Sequence, residues 1–132
     1  MTAMVHRPPR RLAFAASVAF CASVALLAGC ASTPELPPRA LRIEIASGKI
    51  AEECFALAAD ERIDYQFEST AGVDFNLHTH RGGEIVTPVD VKRTRAQAGV
   101  FASPRAEEYC MMWTNVSGVP AHVTGQWRRL RR

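Results

Sequence analysis

The chain has 132 residues, 48% of them hydrophobic and 22% charged, with a formal net charge of +3. That length holds one domain of ordinary size. The charge excludes a nucleic-acid partner: three of the 16 basic residues precede Leu12, the other 13 balance the 13 acids, and four of those 13 are arginines crowded into Arg128–Arg132, which leaves the body mildly acidic.

The N-terminus comes first in chain order. Arg7, Arg10 and Arg11 precede an uncharged run from Leu12 to Leu27. This is the order of a secretory signal, with an apolar run shorter than the ~20 residues a spanning helix needs. Leu27-Ala28-Gly29-Cys30 closes it. That sequence resembles the lipobox of bacterial lipoproteins. The resemblance implies a signal peptide over residues 1–29, removal of which leaves an acylated Cys30 as first residue. The partner so implied is membrane lipid, held by the acyl chains on Cys30. Ala31, rather than Asp, follows the cysteine and points to the periplasmic face of the outer membrane. An ordinary cleaved signal, or an uncleaved membrane anchor, is the competing reading.

Cys21 falls within the signal and Cys30 within its processing site. Cys54 and Cys110 remain, in a compartment where disulfides form and persist. Their wide separation excludes a Cys-x-x-Cys motif. Two buried thiols, or two thiolate metal ligands, are the alternatives to a disulfide. Residues 30–40, with Pro34, Pro37 and Pro38, read as a stiff extended tether.

From Leu41 to 128 the pattern has period two, the strand signature. Leu41–Ile45, Ile63–Glu68 and Val73–His80 alternate apolar with polar residues. Ile50–Phe55 is less regular, and its Ala and Glu content leaves a helix over 50–59 as the lesser alternative. Turns are expected at Ala59-Asp60-Glu61, at Ser69-Thr70-Ala71-Gly72 and at Arg81-Gly82-Gly83. Pro88 makes Glu84–Val91 an edge or a bend. Gly99–Ala102 is short. Tyr109–Thr114, apolar on both faces, is a central strand, and Ala121–Trp127 closes the domain. About eight short strands predict an all-β, antiparallel β-sandwich. Residues 129–132 read as a solvated basic tail, with contact to anionic lipid as its alternative.

Glu53-Cys54-Phe55, Tyr65-Gln66-Phe67, Val73-Asp74-Phe75-Asn76 and Tyr109-Cys110-Met111-Met112-Trp113-Thr114-Asn115 together resemble the GOLD domain. That is the luminal β-sandwich of cargo-receptor-type proteins in the eukaryotic secretory pathway. The resemblance spans residues 41–128. It implies a GOLD/jelly-roll-like sandwich, a disulfide between Cys54 and Cys110, and a binding module rather than an enzyme. The coiled coil, C-terminal transmembrane helix and cytoplasmic tail of those receptors have no counterpart here, so a transport-receptor role does not carry over. An immunoglobulin-like sandwich is the competing fold. It would place a Trp after the first cysteine and a Tyr two residues before the second. Here Trp113 follows Cys110 and Tyr109 adjoins it.

Two stretches could carry chemistry. A regular strand over 73–80 projects His78 and His80 on one side with Asp74 and Asn76. Two imidazoles at that spacing could clasp Cu or Zn, while a closed zinc site needs about four ligands, so His122, Glu84 or a methionine would have to converge. The alternative is a solvated polar face. Met111, Met112 and Trp113 read as core, with Cu(I) recruitment as the lesser reading. No nucleophile, zincin or phosphate-loop motif is present, and Glu52-Glu53 and Glu107-Glu108 are adjacent pairs that a strand turns to opposite faces. The expectation is a membrane-anchored exported lipoprotein acting as a non-catalytic binding module, with an envelope protein or a glycan as partner. The alternative is a periplasmic metal-binding lipoprotein using His78 and His80.

Overall fold

A computed structural model describes residues 36–130; the signal sequence, Cys30 and the last two arginines lie outside the described residues. Six strands follow one another: β1 (Arg39–Ile45), β2 (Ile50–Leu57), β3 (Arg62–Arg81), β4 (Glu84–Ala102), β5 (Glu107–Asn115) and β6 (Ala121–Leu130). All pairings are antiparallel, in the order β1-β6-β3-β5-β2, with β4 on β3. Residues 50–57 form strand, not helix.

The long strand β3 belongs to two layers. Its first part, Arg62–Ser69, pairs with β6; its second, Val73–His78, pairs with β5. β4 runs along its other edge throughout. One layer is therefore β1-β6-β3-β4 and the other β2-β5-β3-β4, joined through the long hairpin. This is the predicted β-sandwich, with its strands merged. The turn expected at Ser69–Gly72 is a bend inside one 20-residue strand. Ser69 and Ala71, both small, face inward at that bend. The Thr70 hydroxyl accepts the His122 N–H (2.9 Å), tying the start of β6 to it. Glu84–Val91 and Gly99–Ala102 likewise fuse into the single strand β4. Both expected glycine-rich or acidic turns hold: Asp60 (φ 61°) turns β2 into β3, and Gly82 and Gly83 (φ 56° and 90°) close the β3–β4 hairpin.

The core lies between the layers. On β3 every odd residue from Ile63 to Leu77 is buried. Val73, Phe75, Leu77, Met111, Trp113 and Val123 are wholly buried, each such side chain contributing ~1.5–3 kcal/mol over exposure. Aromatic contacts bridge the layers. Phe67 meets Trp113 edge-on at 5.6 Å, and Phe55 lies 4.4 Å from Trp127. β5 sits between β2 and β3, the central place its two apolar faces predict. Cys54 and Cys110 face each other across β2 and β5 and are joined in a disulfide.

Gly125 has a packing reason. A Cβ there would stand 2.1 Å from the Gln66 carbonyl oxygen and 2.7 Å from the Phe67 Cα, so only glycine lets β6 lie this close to β3. The domain also reaches beyond residue 128. β1 begins at Arg39 and β6 runs to Leu130. Arg129 is not a frayed tail residue: its guanidinium reaches the Glu61 carboxylate (2.5 Å) and the Ala56 carbonyl (2.7 Å), clamping the β2–β3 turn. Arg128 pairs with Asp64 at 3.3 Å.

Candidate functional site

The two ends of the sandwich are built differently. The near end carries the entry of the chain at Arg39, the turns at 58–61 and 82–83, and the loop 103–106. Ion pairs hold it together. Arg81 presents two nitrogens to the two oxygens of Glu107, both at 3.0 Å. This fork-to-fork pair holds the Glu107 carboxyl below, and the Arg81 guanidinium above, their usual ranges, the hydrogen bonds being the leading cause in each. Burial pushes the Tyr109 phenol up, helped by the Glu107 charge.

The far end carries the turn 46–49, the bend of β3 and the loop 116–120. Asn115, the last residue of β5, organises it from a wholly buried position. Its side-chain Nδ2 donates to the carbonyls of Ile45 (2.9 Å) and Val119 (2.8 Å). Its Oδ1 accepts from the Ser117 N–H (2.9 Å) and hydroxyl (2.6 Å). Its backbone joins the β1–β2 turn, donating to Lys49 O and accepting from Gly48 N. Ser47 Oγ then donates to Ser117 O (2.7 Å). One amide thus locks two loops together and saturates its own hydrogen-bonding capacity. The start of β2 displays Ile50 and the 116–120 loop displays Val116 and Val119, which are 58%, 44% and 58% exposed. Aliphatic side chains on a loop held this firmly have little freedom left to lose on contact. Sequence reasoning treated Thr114-Asn115 only as part of a family motif. The run Asn115-Val116-Ser117-Gly118-Val119-Pro120 carried the signal, because Asn, Ser, Gly and Pro between apolar strands mark a built turn.

The outer face of the β2-β5-β3 layer carries the expected histidines. Register places Cys54, Cys110 and His78 in one row across three strands. Val73, Phe75, Leu77 and Thr79 take the core side. His78 and His80 stand together, ring centroids 5.2 Å apart and edge to face. His78 is buried although it faces outward. Its Nδ1 lies 2.8 Å from Asn76 Oδ1, and its Nε2 lies 3.8 Å from Glu52 Oε1. Among the described residues, no three or more His, Cys, Asp or Glu side chains gather as a metal-holding group. Asp74 does not join the histidines: it accepts the Arg93 N–H at 2.9 Å and faces Lys92 at 3.8 Å, holding the β4 bulge. His122 and Glu84 lie on β6 and at the start of β4, where register pairs them with Glu44 and Arg81.

A shallow depression of about 460 Å³ marks the outer face of the other layer, over Gln66, Glu68, Ala96, Ala98, Thr124 and Gly125. It is open, with Ala96, Ala98 and Gly125 forming its low part beside the longer Gln66, Glu68 and Gln97.

No protein-family model matches this chain, and no curated protein does. Solved structures do resemble it. The pre-peptidase C-terminal domain of a collagenase from Bacillus anthracis is 11% identical, with a TM-score of 0.55 over 73% of this chain and 98% of that one. TmCBM61, solved in complex with beta-1,4-galactotriose, is 13% identical, with a TM-score of 0.51 over 70% of each chain. PliG from Aeromonas hydrophila, a periplasmic lysozyme inhibitor of g-type lysozyme, is 11% identical, with a TM-score of 0.50 over 69% of this chain and 86% of that one. At such identities the likeness is one of fold, and the fold is a β-sandwich.

Proposed function

We propose that this chain is a non-catalytic binding module of the cell envelope, anchored through an acylated Cys30, and that its far-end loops dock a protein. The observation that carries the reading is the loop pair locked by Asn115, with Ile50, Val116 and Val119 held out to solvent. Comparable folds support a binding role, since one such structure holds a galactotriose and another is a lysozyme inhibitor. Between glycan and protein, the side chains favour protein. Sugar rings are commonly gripped on exposed aromatic faces, and every Phe, Tyr and Trp among the described residues is buried. Exposed aliphatic residues on a rigid loop suit the apolar centre of a protein interface. The lipobox and the proline-rich tether support the anchored location. A tether that joins the domain at Arg39 leaves these loops at the opposite end, free to reach a partner.

The test is a photo-reactive amino acid placed at Val119, and separately at Gln66 on the outer layer face, in cells. A discrete adduct from position 119 alone is expected, and Ile50→Asp should abolish it. Equal adducts from both positions, or an adduct indifferent to Ile50→Asp, would overturn the reading.

A copper or zinc lipoprotein using His78 and His80 is the second reading. It draws on the paired rings and on the Nδ1 bond to Asn76, which orients His78 Nε2 as a ligand. Calorimetric titration with Cu²⁺ and Zn²⁺ decides it. Affinity lost in the His78→Ala, His80→Ala double variant supports a site there; affinity unchanged removes it.

A further inference from the structure

Among the described residues β4 pairs with β3 alone, so one edge of it is open from end to end. The two halves of that edge differ. Between Glu84 and Arg95 the ladder to β3 breaks repeatedly. One irregularity falls opposite Leu77 and Thr79, where Pro88 stands; others flank the bulge at Lys92 and Arg93, where Arg93 takes φ 50°. Proline, bulges and cations are the devices that keep a foreign strand off an edge. From Ala96 to Ala102 all of them are missing. The register runs unbroken from Glu68↔Ala96 to Arg62↔Ala102, with neither a proline nor a charge on β4. The outward side chains are Ala96, Ala98, Val100 and Ala102, with Val100 54% exposed.

The backbone direction is fixed by Thr94. Its hydroxyl takes the Ala96 N–H (3.2 Å) and donates to the Ala96 carbonyl (2.6 Å), so both groups of Ala96 point away from β3. Antiparallel alternation turns the groups of Ala98, Val100 and Ala102 the same way. Thr94 satisfies the first of these, and the Ala98 carbonyl takes the Gln97 side-chain amide at 3.4 Å; the Ala98 N–H and the groups of Val100 and Ala102 point outward.

We infer that this segment pairs antiparallel with the same segment of a second copy of the chain, forming a two-fold dimer through the edge around Gly99, where Ala98 and Val100 exchange their outward backbone bonds. A two-fold strand pair must tolerate facing itself, and this stretch does. About an axis at Gly99, Ala98 stands opposite Val100 in both directions and Ala96 opposite Ala102. Apolar meets apolar, and no charge meets its like. The depression beside Ala96 and Ala98 leaves room for the facing Val100. The other edge strands carry charges that this stretch lacks: Arg42 and Glu44 on β1, and Glu52 and Glu53 on β2. The dimer interface is distinct from the far-end loops and does not depend on what they bind.

Sedimentation equilibrium of the full chain in density-matched detergent tests this. Ala98→Pro removes one outward N–H while sparing the bonds to β3. Val100→Lys puts a cation opposite each Ala98, the two cations lying diagonally across the axis. A dimer is expected for the full chain, at least tenfold weaker self-association in each variant, and unchanged melting temperatures. If Ala98→Pro fails to fold, Val100→Lys decides alone. A full chain that stays monomeric at about 100 μM, a generous concentration for a small interface, overturns the inference. So does a dimer that survives both substitutions.

Discussion

Replacing Asn115 by alanine tests the claim that one side chain holds the far end together. The amide makes four hydrogen bonds, to the carbonyls of Ile45 and Val119 and from the N–H and hydroxyl of Ser117. These are not equal losses. The Ser117 hydroxyl, 2.8 Å from Val119 O, can donate to it once the Asn115 oxygen is gone, and the Ser117 N–H, on a half-buried residue, can turn to water. Ile45 is 2% exposed, so its carbonyl loses the amide donor where water cannot readily replace it. A buried acceptor left unpaired costs ~1–3 kcal/mol, and each ordinary bond lost about 1 kcal/mol more. The expected loss is therefore about 3 kcal/mol, or roughly 12–24 °C in Tm for a domain of this size. Urea denaturation followed by circular dichroism measures it, with an unchanged slope and a lowered midpoint. Ser117→Ala, which spares the amide's bonds to Ile45 and Val119, should cost only about 1 kcal/mol. An Asn115→Ala variant within about 0.5 kcal/mol of the parent, the ordinary range of surface substitutions, would refute the reasoning and leave the loops held by their backbone alone.

Other consequences follow from the same geometry. Replacing Cys54 and Cys110 together by alanine should remove about 4 kcal/mol by the chain-entropy account, read as a lowered urea midpoint that reducing agent reproduces in the parent. Gly125→Ala should prevent folding or lower Tm severely, because the new methyl meets backbone at 2.1 Å; Gly99→Ala, which meets the Tyr65 hydroxyl at 2.8 Å, should be milder, since that ring can shift. Melting temperatures of the two variants rank them directly, and the reverse order would contradict the packing. Acid should act through Glu107, whose folded carboxyl is held low first by its hydrogen bonds to Arg81. A lowered carboxyl contributes stability above its unfolded pKa, and that stability is lost as pH falls through the folded value. Thermal melts from pH 7 to about pH 2 should therefore decline below the usual carboxylate range, and Arg81→Ala should flatten part of the decline.

The strands other than β4 were legible because each turns an apolar face to the core, whereas β4 buries Phe101 alone. Alternation from Ile63 to Leu77 sorts every residue to its side, as do Tyr109, Met111 and Trp113. The bend of β3 was not legible. Ser69-Thr70-Ala71-Gly72 has turn composition, and four residues keep the parity of the flanking strands, so a hairpin and a continuous bent strand give the same pattern. What decides between them is pairing with β6 and β5, which lie far along the chain. Arg129 was misread for a related reason. An arginine near a chain end looks solvated until the turn holding Glu61 is folded beside it. The histidines stand on the side their spacing dictates, but alternation does not assemble a third metal ligand.

The long hairpin also explains why the domain carries two unlike surfaces. Because β3 and β4 cross from one layer to the other together, the sandwich is joined along that side and β4 serves both layers as their common edge. Its bulged half leaves the near-end hairpin and ends at the bend, where Asp74 and Lys92 hold the crossing. Its regular half returns from the bend to the near end. A strand added to the regular half extends the β1-β6-β3-β4 layer and leaves the loops at 46–49 and 116–120 uncovered. Self-association and partner docking thus fall on different parts of the molecule. A Val100→Lys variant should lose the first and keep the second, whereas Ile50→Asp should do the opposite. Both functions failing together in either variant would mean that the two surfaces are one.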